Sequence, residues 1–513
     1  MQGSVLAQYA QDLGYIWPEI ILSVTVLLAL IADLVLGGRD VRITGLICLI
    51  GTAFASWYLF RKLSPENLPG RPFGLMIVDQ TAVFLKIITA AGLAAILLFS
   101  LFFRGFQKDG IGEYYAILVA ATLGVFFLVS TNNLLLFYVS VELLSLSSYV
   151  MAGFNKADRR SGEAALKYLV YGALSTAILL YGFSILYGLT GSLDMETVGA
   201  GLKAAMTGES VATSQAISVA AILVVAGLGY KLASFPFHFW APDVYEGAPT
   251  PVTTFLAVIS KAGAFGVVLR LMQLTFLGGS GGANPEWALR FSTTIAIVAA
   301  AGMTYGNITA MLQDNAKRML AYSSIAHVGY LLMAFAAMGA AAGRAEASAE
   351  PASALLFYLA AYYLMNLGAF GVVIYLSDRY GVESIPEYRG LGWRSPIAGA
   401  TMVVFLLSLT GLPPTVGFVG KYLLFVTAFK NDLAWLAVVA ALNSVISLFY
   451  YFRFAKALYL RSESDTSPLP ALQGVPTYAT LAVLVVLGAA TVSFGLMFNG
   501  LGTAAQAAAA ASF

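Results

Sequence analysis

Apolar runs follow one another along the whole chain, separated by short polar breaks. A helix needs ~20 apolar residues to cross the ~30 Å hydrocarbon core of a bilayer, and most of these runs reach that length. Reading run against break predicts spans near 15–37, 41–61, 77–103, 114–130, 132–154, 163–190, 215–246, 250–276, 289–311, 317–341, 352–377, 396–428, 432–456 and 475–500. The fold class expected is an all-α polytopic membrane protein of about fourteen transmembrane helices. Two of the runs are too long for one crossing and carry proline in mid-course: Pro236 in 215–246, and the pair Pro413 and Pro414 in 396–428. A proline there breaks the helix and frees carbonyls, which is tolerated only where protein or water satisfies them. Both read as discontinuous helices around a polar cavity. They are the seventh and twelfth spans, and an odd offset of five spans predicts two inverted five-helix repeats, each with a broken helix. The division expected is 1–110 for helices one to three, 111–276 and 289–456 for the repeats, and 475–500 for the last helix.

Composition agrees with the pattern: the 513 residues are 59% hydrophobic and only 11% charged, against about 25% charged in soluble domains. The single cysteine, Cys48, falls within the second span; one thiol makes no internal disulfide, and an iron–sulfur cluster takes about four such ligands. A net charge of +2 gives no case for a nucleic-acid partner. The first apolar run already has spanning length and lacks a cleavage site, so no cleaved signal peptide is expected. Fifteen Lys and Arg follow odd-numbered spans and eight follow even-numbered ones. Positive residues favour the cytoplasmic side, so the odd loops are expected there and both termini outside.

Against that apolar background the ionisable residues inside spans carry the chemistry, since each costs about 2.5–3.5 kcal/mol to insert at a helix centre. Glu142, Lys167, Lys231, Lys261 and Lys421 stand out. Glu142 has no cation within a helical turn of its own segment, and Lys231 of the broken seventh span is the natural partner. Lys231 lies five residues before Pro236 and Lys421 seven after Pro414, each beside a break that dipoles and water can reach. Parting a buried lysine from its carboxylate makes it release a proton, which is the elementary step of a pump. Lys261 sits among small residues that leave room for water, whereas Lys167 is one turn inside its span and within reach of the surface by snorkelling. Lys86, two turns beyond Asp79, reads as packing or a side branch. The chain has two histidines, His238 and His327, both within spans. Imidazole donates and accepts near neutral pH and so suits a relay. A phosphate-loop pattern ending at Lys421 fails, because Thr415 stands where glycine is required and Tyr422 where Ser or Thr is. The glycine-rich 278–282 reads as loop.

Four motifs together resemble the antiporter-like membrane subunits of proton-pumping NADH:quinone oxidoreductase, respiratory complex I. They are KLASFPFHFWAPDVYEGAPTPV at 231–252, SKAG at 260–263, KRMLAYSSIAH at 317–327 and GLPP at 411–414. Within that family the chain is similar to the type with lysine rather than glutamate at the twelfth-span position, where Lys421 stands, and without a long lateral helix after its core. The resemblance implies a proton relay of Glu142 and Lys231 as an ion pair, Lys167 as its modulator, Lys261 as the central lysine, His238 and His327 as relay histidines, and Lys421 facing the outer exit. It implies no cofactor on this chain, with FMN, Fe–S clusters and quinone on other subunits. The partners implied are other complex I membrane subunits on both sides, the lipid bilayer and protons, in a bacterial plasma (inner) membrane with both termini periplasmic. The alternative is an Mrp-type secondary cation/proton antiporter subunit, which shares the lysines and both breaks.

Overall fold

The computed structural model describes residues 2–37, 41–62, 68–106, 110–206, 211–277, 285–342, 345–460 and 478–511, with the main chain alone for 2–7, 62, 211–212, 285 and 345–348. The glycine-rich 278–282 and several of the charges counted for orientation, among them Arg39, Lys108, Arg344 and Arg461, lie outside the described residues. Thirteen segments among the described residues are helices long and apolar enough to cross a membrane. The remaining expected span, 396–428, the twelfth, is divided between two 15-residue helices.

In chain order the N-terminal helices are α1 (Gln2–Leu36), α2 (Val41–Lys62), α3 (Gln80–Phe102), α4 (Ile111–Ser130), α5 (Leu134–Ala152) and α6 (Arg159–Thr190). Next come α7 (Met195–Met206), α8 (Val211–Leu232), α9 (Trp240–Gly247), α10 (Thr250–Ala257), α11 (Ile259–Leu271), α12 (Pro285–Met311) and α13 (Ala316–Ala340). The last are α14 (Ala345–Tyr380), α15 (Leu391–Arg394), α16 (Pro396–Thr410), α17 (Val416–Lys430), α18 (Ala434–Tyr459), α19 (Tyr478–Leu496) and α20 (Asn499–Ala510). Their starts follow from side-chain caps. Asp79 accepts from the Ala82 amide at 2.8 Å, Asn133 from those of Leu135 and Leu136, and Asn315 from that of Arg318, satisfying amides that a helix N-terminus leaves free.

Both proline-bearing runs break, and side chains close the polar groups that each break exposes. After α8 the Ser234 amide and hydroxyl donate to the Gly229 carbonyl, and the Trp240 indole donates to the Tyr230 carbonyl at 2.9 Å. After α16 the Leu412 amide donates to Leu407, while the Leu409 and Thr410 carbonyls accept from the Lys421 amine at 3.1 and 2.9 Å. Gly411 turns the chain there with φ +88°, in the left-handed region that favours glycine. A Cβ at that position would also stand 2.8 Å from Lys421 Cδ. Break and lysine are thus one unit in the second half.

The core lies along α10, α11, α13 and α14: the most apolar stretches of 250–276 and 316–340 are buried throughout, against 22% of that of α1. α12 and α13 pack closely because glycines face backbone across the pair. A Cβ on Gly306 would meet the Ala326 amide at 2.7 Å, and one on Gly329 the Ala299 carbonyl at 2.7 Å. Small residues at such contacts are how helices associate where lipid removes the hydrophobic drive.

Two buried ion pairs tie the first helices to the rest. Lys86 does not extend from Asp79 as a side branch: its amine lies 2.6 Å from Glu19 of α1, both side chains almost wholly buried. The angles lie outside hydrogen-bond geometry, so this is a charge contact. Asp79 instead receives both Arg270 terminal nitrogens, one at 2.6 Å, joining the start of α3 to the end of α11.

Candidate functional site: a line of buried amines and hydroxyls

From α11, the Lys261 amine donates to the Ser324 hydroxyl of α13 and, at 3.3 Å, to its carbonyl. Ser324 and the Tyr362 hydroxyl of α14 are 2.6 Å apart. One turn further along α13, His327 Nδ1 meets Tyr358 at 2.6 Å and Nε2 meets Tyr451 at 3.3 Å. Tyr451 is in turn hydrogen-bonded to Ser323. Tyr330, the next residue on that face, lies 3.2 Å from the Ser444 hydroxyl of α18, which accepts from Lys421 at 3.2 Å. The Lys421 amine also sits 4.4 Å above the Tyr330 ring, a cation–π contact. His327 and Tyr362 have ring centroids 5.6 Å apart, and His327 and Tyr330 5.7 Å.

Lys261, Ser324, His327, Tyr330, Tyr358, Tyr362, Tyr451 and Lys421 are all buried. The spacing 323/324, 327, 330 keeps one face of α13 turned to this line, and 358 and 362 keep one face of α14, as neighbours three or four apart on a helix must. A serine or tyrosine hydroxyl donates and accepts at once, and so does neutral imidazole. Such groups are chemically able to pass a proton between amines without carrying a permanent charge. From Tyr362 to His327, and again from His327 to Tyr330, the groups meet through rings rather than by a direct hydrogen bond.

On the other side, the Lys231 amine donates to the Ser145 hydroxyl of α5, which donates to the Val141 carbonyl. It faces the rings of Tyr149 and Tyr230 at 5.7 and 5.9 Å. The Tyr168 hydroxyl, which interacts with Ser148 and Ser260, lies between this group and the segment that carries Lys261.

Three expected residues are placed differently from the expectation. Glu142 makes no ion pair with Lys231 among the described residues; it is half-buried one turn before Ser145, near enough for its charge to act on the amine. Lys167 does not lie at that pair: it is 37% exposed and bridges Glu163 at 2.8 Å and Asp243 at 2.6 Å. Asp243 is shared with Arg318, which also reaches Glu246 at 2.9 Å. A 32-residue α6 is roughly 48 Å long, more than the ~30 Å core, and Lys167 lies near its polar start. His238 is buried but joins no line of hydrogen bonds. Both ring nitrogens are unpartnered among the described residues, and the ring stacks against Phe235 and Phe239 and meets Tyr305 at a tilt. The residues not singled out from sequence are the hydroxyls of Ser145, Ser324, Tyr330, Tyr358, Tyr362, Ser444 and Tyr451.

The chain as a whole is similar to known proteins. The family model described as "NADH:quinone oxidoreductase/Mrp antiporter, TM" matches residues 131–447, which hold every residue of the line except Tyr451. The chain belongs to this family. Among its curated members, the protein named NADH-quinone oxidoreductase subunit N from Chlorobium chlorochromatii is 38% identical over 96% of this chain and 94% of that protein. One named subunit N 2 from Chloroherpeton thalassium is 38% identical over 95% and 93%. Among solved structures, a chain of respiratory complex I from Thermus thermophilus, solved with bound aureothin, is 32% identical, with TM-score 0.75 and coverage of 95% and 98%. A chain of the Mrp complex from Dietzia sp. DQ12-45-1b has TM-score 0.77 with 21% identity, covering 98% and 97%, a likeness of fold alone. The NADH:quinone oxidoreductase/Mrp antiporter fold therefore spans this chain nearly end to end, and identity favours the oxidoreductase branch.

Proposed function

We propose that the chain is the proton-translocating subunit N of the membrane arm of a respiratory NADH:quinone oxidoreductase, and that it couples quinone reduction elsewhere in the complex to proton transfer across the bilayer. The observation that carries this reading is the buried line from Lys261 through Ser324 and Tyr362, past His327, to Lys421. In this reading FMN, Fe–S clusters and quinone belong to partner subunits. Membrane subunits flank the chain on both sides in a bacterial inner membrane. The odd loops face the cytoplasm, both termini face the periplasm, and residues 111–276 and 289–456 form the two inverted repeats.

A proton arriving from the cytoplasmic side loads Lys231 or Lys261. Lys231 is held by Ser145 with Glu142 a turn away, so a neighbour that moves Glu142 toward the amine binds the proton and one that withdraws it releases the proton. The proton passes through Ser324, Tyr362 and His327 to Lys421 and out. Lys167 belongs to the surface network with Asp243 and Arg318 and biases this step from a distance. Against 100 mV each transfer opposes about 2.3 kcal/mol, so the static line conducts and the drive comes from the neighbour. The test is proton uptake per quinone reduced in inside-out vesicles, comparing native complex with Lys261→Met at equal assembly. The expected result is loss of both turnover and pumping; unchanged pumping would overturn the reading.

A further inference from the structure

Two buried hydroxyls near the lysines make no hydrogen bond among the described residues, those of Tyr149 on α5 and Tyr245 on α9. Tyr245 is fully buried. Its main-chain carbonyl accepts from the Thr253 hydroxyl of α10 at 2.9 Å, and its ring meets Trp240 and Phe370 edge-on at 6.3 and 6.2 Å. On the same short helix Asp243 and Glu246 turn to Arg318 at the surface while Tyr245 turns inward. A phenylalanine ring would fill the same space. A buried hydroxyl left without a partner lowers stability, so packing gives no reason for the oxygen.

Position gives one. The Tyr245 hydroxyl interacts with Ser324, outside hydrogen-bond geometry, and lies within electrostatic reach of Tyr362 and Tyr168. Ser324 is the residue that holds the Lys261 amine. Tyr168 belongs to the other side: its hydroxyl interacts with Ser148 and Ser260, and its ring meets that of Tyr149 at 4.8 Å. Tyr149 interacts in turn with Ser145, which holds Lys231, again outside hydrogen-bond geometry. Trp240 stacks on Tyr168 at 4.5 Å and faces Tyr245, so one indole fixes both rings. Between the two lysines the hydroxyls therefore follow one another as Ser145, Tyr149, Tyr168, Tyr245 and Ser324, drawn from α5, α6, α9 and α13.

We infer that the Tyr245 hydroxyl is the relay that joins the Lys231 group to Lys261, taking a proton from the Tyr168 side and giving one to Ser324. This role rests on the proton-translocating function proposed above, which leaves the step between the two lysines unassigned. A phenol O–H turns about its C–O bond without moving the ring, and it donates and accepts at once. In one passage the Lys231 ammonium loses a proton and the Lys261 amine gains one. Each hydroxyl between them breaks one O–H bond and forms another, then turns back. The passage starts when Ser145 swings its own proton from the Val141 carbonyl toward Tyr149. The steps on either side of Tyr245 pass through ordered water, which serves buried polar groups that lack a protein partner.

The test is Tyr245→Phe in the complete complex, at equal assembly on native gels, read as NADH-driven quinone reduction and vesicle acidification in H2O and in D2O. Both are expected to fall together by roughly fivefold or more. The solvent isotope effect on turnover should rise above native, because a slowed proton step then limits the rate. The double variant with Ser145→Ala should be no slower than the slower single one, since both interrupt one path. Tyr388→Phe removes another buried hydroxyl without a partner, in the turn before α15 and outside this series, and should leave turnover native. Near-native turnover in Tyr245→Phe overturns the relay. If Lys261→Met is dead in the same membranes, the relay alone fails; if Lys261→Met is active too, the proton-translocating reading falls with it. An equal loss in Tyr388→Phe, a native isotope effect, or losses that multiply with Ser145→Ala mean that Tyr245 acts through packing, which also overturns the relay.

Discussion

Ser324→Ala is the sharpest single perturbation of the proposed line, because Ser324 is the only side chain among the described residues that bonds both Lys261 and Tyr362. Removing its hydroxyl leaves the amine with the Ser324 carbonyl at 3.3 Å and Tyr362 without this partner. A hydrogen bond to a charged group is worth ~1.5–3 kcal/mol. If the proton crosses this contact, that energy appears on the transfer barrier, at tenfold per 1.36 kcal/mol. Coupled turnover should therefore fall roughly 10- to 150-fold. The assay is NADH-driven quinone reduction with simultaneous vesicle acidification, at equal assembly on native gels and with an uncoupler control. Ser324→Thr keeps a hydroxyl and should recover most of the rate. Ser323→Ala, which frees only Tyr451, should do less harm. Turnover within twofold of native in Ser324→Ala, alongside a dead Lys261→Met, would place the route from that amine elsewhere.

Lys86→Met should strip the complex of this subunit on native gels, since it leaves Glu19 buried without its cation at a cost of about 3–5 kcal/mol. The double variant with Glu19→Gln removes both charges and should restore assembly; failure of that rescue would count against the pairing. Gly411→Ala forces a side chain into the left-handed region at roughly 1–2 kcal/mol and pushes on Lys421. Assembled complex carrying it should show a reduced proton-to-quinone ratio, and a native ratio would mean that the carbonyls of α16 are not needed by Lys421. In the loop before α15, the amides of Glu383 and Ser384 donate to the Glu387 carboxylate at 2.8 and 3.0 Å and hold its pKa below the ordinary value of 4.5. A lowered pKa stabilises above the unfolded value and is lost as pH falls through the folded one. Hydrogen-exchange protection of those amides should therefore persist down to about pH 4.5 and decline below it, a step that Glu387→Gln should lack.

Lys231, Lys261, His327 and Lys421 could be found from sequence because each is an expensive group inside an apolar run. Their partners could not. A tyrosine or serine in a span costs little, and with 27 tyrosines in the chain nothing in the pattern selects Tyr358, Tyr362 and Tyr451. Only the packing of α13 against α14 and α18 does so. Glu19 was missed for a different reason: it follows Pro18 near the start of the first long run, where a carboxylate reads as an interfacial residue. Its burial depends on α3 covering it. The near-surface place of Lys167 agrees with its position one turn inside the expected span; what hydropathy could not show is its bridge to Glu163 and Asp243. The two breaks were legible from proline placement, and so was the count of spans. The separation of Glu142 from Lys231 is a conformational matter that no single-sequence pattern encodes.

The partners of the lysines differ in a way that bears on direction. Lys261 rests on the Ser324 hydroxyl, which accepts from an ammonium and can donate to a neutral amine, whereas Lys231 rests on the Ser145 hydroxyl, whose own proton goes to the Val141 carbonyl. Lys421 rests on two main-chain carbonyls at the C-terminal end of α16, which only accept, with the Tyr330 ring face and the single hydroxyl of Ser444 beside them. A helix C-terminus favours a cation, as does an aromatic face. In the proposed relay the far end of the line therefore favours a loaded lysine, and a proton started at Lys261 would be drawn toward Lys421 by fixed dipoles. Its departure would then require those carbonyls to let go, beside Gly411, where the chain turns against the lysine side chain.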